Sequence, residues 1–148
     1  MKISKKGRYA LRALIYIALN NDEEKVTVST IANANNISVK YLEQIFSGLK
    51  RAGIVRSIHG INGGYYLSRE PNQITVEELL NAVEGEYKIE RETTPEECML
   101  KGISDTVQRC IIDEINEKTG DVISNITLQD LVDDYNRRSR DGDEMYYI

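Results

Sequence analysis

The sequence contains few of the residues from which catalytic centres and covalent cross-links are built. Its 148 residues include no tryptophan, one histidine, two cysteines and two prolines. The single histidine, His59, leaves no convincing pair of nucleophile and base, so an enzyme is not expected. Two cysteines far apart in the chain do not form a disulfide framework, which indicates a cytoplasmic protein.

Long apolar runs are also missing. No run approaches the roughly 18 residues that a membrane-spanning helix requires, so no membrane partner is expected. The beginning, MKISKKGRYA, carries early positive charge, but neither a continuous apolar segment nor a cleavage site follows it, so it does not read as a secretion signal.

Charge is divided unevenly along the chain. Residues 1–66 hold 10 lysines and arginines against 4 aspartates and glutamates, whereas residues 67–148 hold 9 against 20. The first part therefore carries +6 and the second −11, within a total of −5. The basic part predicts a polyanionic partner, and the acidic part predicts a surface that meets something else.

The basic part has the periodicity of three helices. Apolar residues recur at helical spacing from Ser4 to Asn20, a short helix follows the potential cap Thr27, and a third helix runs from the cap Ser38 to a closing Gly53. A tight turn joins the second helix to the third, which has one apolar and one polar face. This order predicts a helix-turn-helix.

Two short β-type runs around the glycine-rich turn HGING follow, within residues 54–67. Helix, helix-turn-helix and hairpin together make a winged helix, so the predicted fold is mainly α with a small β wing. The predicted organisation is a DNA-binding domain over residues 1–85, a connecting strand and loop over 86–103, a dimerisation helix with a short capping helix over 104–136, and an acidic tail with an apolar end over 137–148. The long helix has a single apolar stripe, which usually needs a partner helix.

Polar residues near the start of the third helix are candidates for reading DNA bases in the major groove. Lysine can donate to guanine, glutamine can pair with adenine, and glutamate can accept from cytosine. The candidates are Lys40, Tyr41, Glu43 and Gln44. Glu43 could instead serve only to pair with a neighbouring lysine. For the domain as a whole, the alternative is a protein-binding module, because winged helices also occur in that role.

Basic residues and glycines complete the predicted DNA face. Those suited to phosphates are Lys5, Lys6, Arg8, Lys50, Arg51 and Arg56, with Thr27 at the start of the second helix. The predicted wing tip consists of His59, Gly60, Gly63 and Gly64, and is slim enough to approach the backbone or enter a minor groove. The adjacent tyrosines at 65 and 66 are expected to pack within the wing and core. A lone loop histidine is usually only solvated.

Three segments, MKISKKGRYALRALIYIA, NISVKYLEQIFSGLKRAGIVRSIHGINGGYYLSR and ITVEELLNAVEG, closely resemble the Rrf2 family of winged-helix transcription regulators. The resemblance covers almost the whole chain. It implies a homodimeric repressor whose long helices cross at the interface and whose two winged helices read a palindromic operator. It implies base contacts from Ser38, Lys40, Tyr41 and Glu43. Many members carry an arginine at the position of His59, so insertion of the wing into the minor groove would here either be lost or depend on pH.

The resemblance also directs attention to the cysteines. Sensor members of the family hold an iron–sulfur cluster with three cysteines spaced C-x5-C-x5-C; here Cys98 and Cys110 match the outer positions and Ser104 stands between them. Asp113 falls on the position of a fourth ligand. A serine hydroxyl is a poor cluster ligand because it is harder and far less acidic than a thiol. Three alternatives stay open: unliganded thiols, a cluster or other metal, and a redox disulfide. The cofactor is unknown, and the absence of any cofactor is favoured over the presence of an iron–sulfur cluster.

The ending DEMYYI is acidic and then abruptly apolar. It is similar to the tail of family members that control cysteine metabolism and work with cysteine synthase. The resemblance therefore implies that Tyr146, Tyr147 and Ile148 bind cysteine synthase; alternatively, these residues pack on their own dimer. The function expected is a repressor of cysteine or sulfur metabolism, with an iron–sulfur or thiol redox sensor as the alternative.

Overall fold

The computed structural model describes residues 3–20, 26–58, 60 and 63–145, with side chains to residue 140. Its elements in chain order are α1 (Lys5–Leu19), α2 (Val28–Asn35), α3 (Val39–Arg51), β1 (Val55–Ile58), β2 (Gly64–Leu67), a 3-10 turn (Pro71–Gln73), α4 (Val76–Glu84), α5 (Lys101–Val107), a π-helical segment (Gln108–Asp113), α6 (Glu114–Asn125) and α7 (Leu128–Met145). Within these residues no helix is long and apolar enough to cross a membrane.

Side-chain caps define the starts of the first three helices. Ser4 Oγ accepts from the backbone N–H of Lys6 at 3.0 Å, Thr27 Oγ1 accepts from Thr30 at 3.1 Å, and Ser38 Oγ accepts from Tyr41 at 3.3 Å. Each cap satisfies an amide that has no partner within the helix. The predicted helix starts are therefore confirmed. Gly53, with φ of 70°, lies just past the end of α3, as its sequence position predicts.

The hydrophobic core lies between α1, α2, α3, α4 and the wing. The apolar face predicted for α3 is fully buried and consists of Leu42, Ile45, Phe46 and Leu49. The ring of Phe46 packs against Tyr65 of β2, with ring centroids 4.3 Å apart. This contact anchors the wing on the back of α3, and it confirms that Tyr65 packs within the fold.

The wing is an antiparallel pair in which Val55 lies opposite Leu67 and Ile58 lies opposite Gly64. Val26 adds a bridge, because its carbonyl accepts from the N–H of Tyr65 at 2.9 Å. The hairpin predicted over residues 54–67 is therefore confirmed, and the segment before α2 extends its sheet.

The carboxyl-terminal part corrects two predictions. The strand predicted within residues 86–103 is wrong: residues 86–100 form turns and loop, and the helix already begins at Lys101. The backbone of this loop is paired by a side chain instead, since Asn116 accepts from Ile89 N at 2.9 Å and donates to Ile89 O at 3.0 Å.

The helix predicted after the long helix is present as α7, but its predicted length is wrong: α7 runs for 18 residues to Met145 and includes most of the segment predicted as a tail. Its start is a full capping box, in which Thr127 and Asp130 hydrogen-bond each other's backbone N–H. Farther along, Asp134 pairs with Arg137 at 2.6 Å and with Arg138 at 2.7 Å, at helical spacing. These local pairs favour helix across a stretch that its charge alone marks as a solvated tail.

Candidate nucleic-acid interface

The outward face of α3 carries most of the predicted base-reading residues. Lys40, Glu43 and Gln44 are exposed. Tyr41 is half-buried, and its ring meets the ring of Tyr9 edge-on at 6.0 Å. This contact places the amino-terminal half of α1 alongside the first turn of α3.

Ser38 is exposed and serves as the cap of α3, since its hydroxyl oxygen accepts from the N–H of Tyr41. A hydroxyl that accepts one hydrogen bond still has its own hydrogen to donate. The capping role is therefore compatible with a contact to DNA at the same residue.

A groove of about 330 Å³ separates the wing from the start of α2 and from α3. Its lining residues are Thr27, Val28, Glu43, Ser57, Ile58, Gly60, Gly63, Gly64 and Tyr65. The fold thus brings together five predicted residues that are up to 37 positions apart in the sequence, from Thr27 to Gly64. Burial and, to a smaller extent, the nearby negative charge of Glu43 raise the pKa of Tyr65 above its ordinary value.

Sequence reasoning missed Ser57 and Ile58 in this groove. Ile58 is an exposed apolar residue at the end of β1, and Ser57 accepts a hydrogen bond from Lys50 Nζ at 2.8 Å. The alternation of inward and outward residues along the hairpin could have identified Ile58. The Lys50–Ser57 contact ties the end of α3 to the wing.

The basic residues divide into two groups. Lys5, Arg8, Lys50, Arg51 and Arg56 are exposed, as phosphate contacts require. Lys6, for which the sequence predicts the same role, is half-buried, and its ammonium donates to the carbonyl of Val83 at 2.6 Å. Gly60, at the wing tip, has φ of 111°, a conformation that favours glycine. The prediction for His59 falls outside the described residues.

A helix-turn-helix with an exposed polar second helix, a glycine-rich wing beside it and basic residues around both defines a winged-helix nucleic-acid-binding protein. The chain belongs to the Rrf2 family: the family profile, described as "Iron-dependent Transcriptional regulator", matches residues 3–134.

Two relatives and one solved structure illustrate this membership. The chain is similar to the HTH-type transcriptional regulator CymR of Bacillus subtilis strain 168, with 35% identity over an alignment of 151 positions that covers both chains fully. It is similar to the HTH-type transcriptional regulator IscR of Pectobacterium atrosepticum, with 34% identity over 132 residues, 89% of this chain and 79% of the relative. The solved structure of CymR, described as the global cysteine regulator of B. subtilis, matches with a TM-score of 0.74 and 34% identity, over 90% of this chain and 97% of that one.

The protein is therefore a DNA-binding transcription regulator and not an enzyme, as the sequence predicts. This class accounts for the basic amino-terminal part.

The two cysteines lie on either side of the start of the long helix. Cys98 is half-buried in a turn before α5, and Cys110 is exposed on the π-helical segment. The ten helical residues from Lys101 to Cys110 span about 13 Å between their first and last α-carbons at the usual helical rise. Both thiols are free in this structure, and a disulfide between them requires α-carbons within about 7 Å.

The residues at the family's cluster position do not fit a cluster. Ser104 Oγ donates to Glu92 Oε2 at 2.8 Å and accepts from Thr94 Oγ1 at 2.8 Å. Asp113 Oδ1 accepts from the buried Gln108 Nε2 at 2.8 Å. Both matching side chains are engaged with the protein itself, and no group of three His, Cys, Asp or Glu among the described residues is arranged to hold a metal.

The loop is held on the helices by further direct contacts. Tyr87 donates to Glu77 of α4 at 2.9 Å. Burial raises the pKa of Tyr87, and the Glu77 carboxylate raises it further. Lys101 pairs with Glu96. The predicted partner residues Tyr146, Tyr147 and Ile148 lie outside the described residues.

Proposed function

We propose that this protein is a dimeric repressor of genes of cysteine or sulfur metabolism, and that it works without an iron–sulfur cluster. The observation that carries the proposal is the engagement of Ser104 by Glu92 and Thr94, which occupies the middle cluster position with hydrogen bonds inside the protein. The full-length similarity to a regulator described as controlling cysteine supports the pathway. The similar regulators come from bacteria, in which DNA lies in the cytoplasm, so the cytoplasm is the proposed location.

In this proposal the start of α3 enters the major groove. Lys40, Glu43 and Gln44 contact base edges, with Ser38 and Tyr41 at the first turn of the helix. Phosphates bind the exposed basic residues Lys5, Arg8, Lys50, Arg51 and Arg56, and Thr27 with the wing glycines lines the groove beside the backbone.

The proposed dimer interface is an exposed apolar stripe along α5, the π-helical segment and α6. It consists of Ile103, Val107, Ile111, Ile115 and Val122. Ile103 is 62% exposed and Ile111 is 51% exposed, which is unusual for aligned apolar residues on one helix face. Packing two such stripes together gives a two-fold dimer and hence a palindromic operator.

The cluster-free mechanism predicts that protein purified and reconstituted with iron and sulfide under anaerobic conditions stays colourless and still represses. Operator affinity should change less than twofold between iron-treated and chelator-treated samples, because no described residue set depends on a metal. Absorbance from 300 to 700 nm, iron content and electrophoretic mobility shift measure these outcomes.

The matched variant is Ser104→Cys, which restores the three-cysteine spacing. A brown cluster in the wild type, with operator binding that depends on it, would replace this proposal with the iron–sulfur sensor. Colour in Ser104→Cys alone would support the role assigned to Ser104.

We further propose cysteine synthase as the partner of the carboxyl-terminal tail. The tail has two tyrosines and an isoleucine behind an acidic stretch, and an apolar side chain beside a carboxylate suits capture in a small pocket lined with backbone donors. Such a complex would report cysteine supply to the operator.

Deleting Ile148 is expected to weaken binding to cysteine synthase by at least tenfold, while leaving the dimer and operator binding unchanged. A peptide ending DEMYYI should inhibit cysteine synthase competitively, and the same peptide with its terminal carboxylate amidated serves as the control. If the deletion dissociates the dimer and the peptide does not bind the enzyme, the tail packs on its own dimer instead.

A further inference from the structure

The first turn of α1 is bonded to the last turn of α4, nearly 80 residues away in the sequence. Glu84 Oε1 accepts from Ser4 N at 2.9 Å, Ser4 Oγ at 2.7 Å and Gly7 N at 3.0 Å. From the same turn of α1, the ammonium of Lys6 also donates to the carbonyl of Val83. Four hydrogen bonds thus join two helix ends that local sequence does not connect.

The sequence at position 7 suits this contact. A β-carbon on Gly7 would collide with Glu84 Oε1 and would lie 3.2 Å from Leu80 Cδ2. The missing side chain therefore allows the carboxylate to reach the backbone of α1.

Glu84 also supplies a charge that α1 lacks. The first turn of α1 has no acidic residue, although an anion at this end of a helix is favourable. The partly buried carboxylate of Glu84 takes that place from α4, and its three hydrogen bonds restrict the turn to one orientation.

The same turn carries Lys5 and Arg8, whose side chains are exposed. We propose that Glu84 is a positioning residue for DNA binding: it fixes the first turn of α1 so that Lys5 and Arg8 meet the phosphate backbone. This inference rests on the phosphate contacts proposed for these two residues. Because α4 also packs against α6, the bonds between Glu84 and α1 fix Lys5 and Arg8 relative to the proposed dimer interface.

The test uses the full-length protein and a 40-base-pair duplex carrying the sequence that wild-type protein selects from random DNA. Glu84→Ala should lower affinity about tenfold and reduce the slope of log affinity against log salt by up to about 3.6 per dimer, since two phosphate contacts in each protomer would each remove about 0.9. Preference between bases should not change. Gly7→Ala, which displaces the carboxylate, should have the same effects.

A double-mutant cycle tests the contact between Gly7 and Glu84 directly. Gly7→Ala should cost little further affinity in the Glu84→Ala background, because the two changes remove one interaction. Glu84→Gln, which keeps an acceptor oxygen, should retain a salt slope near that of wild type. Glu86→Ala, at an exposed carboxylate two residues later, is the control.

Lys5→Ala and Arg8→Ala test the phosphate contacts separately from the positioning role of Glu84. If these variants lower the salt slope and folded Glu84→Ala and Gly7→Ala do not, the positioning role is wrong and the phosphate contacts stand. If Lys5→Ala and Arg8→Ala leave the slope unchanged, the contacts fail and the inference fails with them.

Discussion

Ile111→Asp is expected to convert the protein to a monomer and to weaken operator binding by more than a hundredfold. Ile111 lies in the middle of the apolar stripe on the long helix, and in the proposed dimer it packs against the partner helix. An ionised carboxylate buried there without a partner costs several kcal/mol, and two-fold symmetry introduces it twice. A monomer binds only one half-site, so it loses the contribution of the second.

Sedimentation equilibrium and mobility shift measure the two effects, and circular dichroism checks that the winged helix stays folded. Arg109→Asp places the same carboxylate on the opposite side of the helix, where Arg109 is exposed, and should leave the dimer intact. A dimeric Ile111→Asp with normal operator affinity would show that the stripe is not the interface.

Glu43→Ala is expected to relax the preference for one base pair in each half-site by about 1–3 kcal/mol. Glu43 is exposed on α3 and faces the groove beside the wing, and a carboxylate accepts from the amino group of cytosine. Glu43→Gln should move the preference at that position towards adenine, because the amide both donates and accepts. Competition binding with single-base operator variants measures both changes.

The matched control for Glu43 is Lys50→Ala. Lys50 lies at the end of α3 and donates to Ser57, and its proposed partner is a phosphate. Its loss should weaken all sequences alike and lower the salt slope by about one per phosphate contact. Equal, sequence-independent losses from Glu43→Ala and Lys50→Ala would remove the base-reading role from Glu43.

The winged helix was predictable because its signals are local. The caps Thr27 and Ser38 act on amides three residues away, and the buried face of α3 repeats every three to four residues. The hairpin follows in the same way from glycines between two short apolar runs. Base-reading candidates could then be assigned, since residues early in α3 on its polar face point away from the core.

The remaining features depend on contacts distant in the sequence. Nothing in the composition of residues 86–100 shows that Asn116 pairs the backbone of Ile89, so an extended loop was predicted as a strand. The engagement of Lys6 by Val83 and of Glu84 by Ser4 likewise appears only once α1 and α4 are side by side. For α7 the misleading signal was charge, since its ion pairs stabilise a helix where net acidity alone indicates a solvated tail.

The central claim is that two copies of α3 read DNA symmetrically, and selection of binding sites from random DNA tests it most directly. The wild-type protein should enrich a palindrome whose two half-sites each contain the position that changes in Glu43→Ala, separated by a fixed spacing. Enrichment of a single unpaired half-site, or of no sequence at all, would contradict the claim.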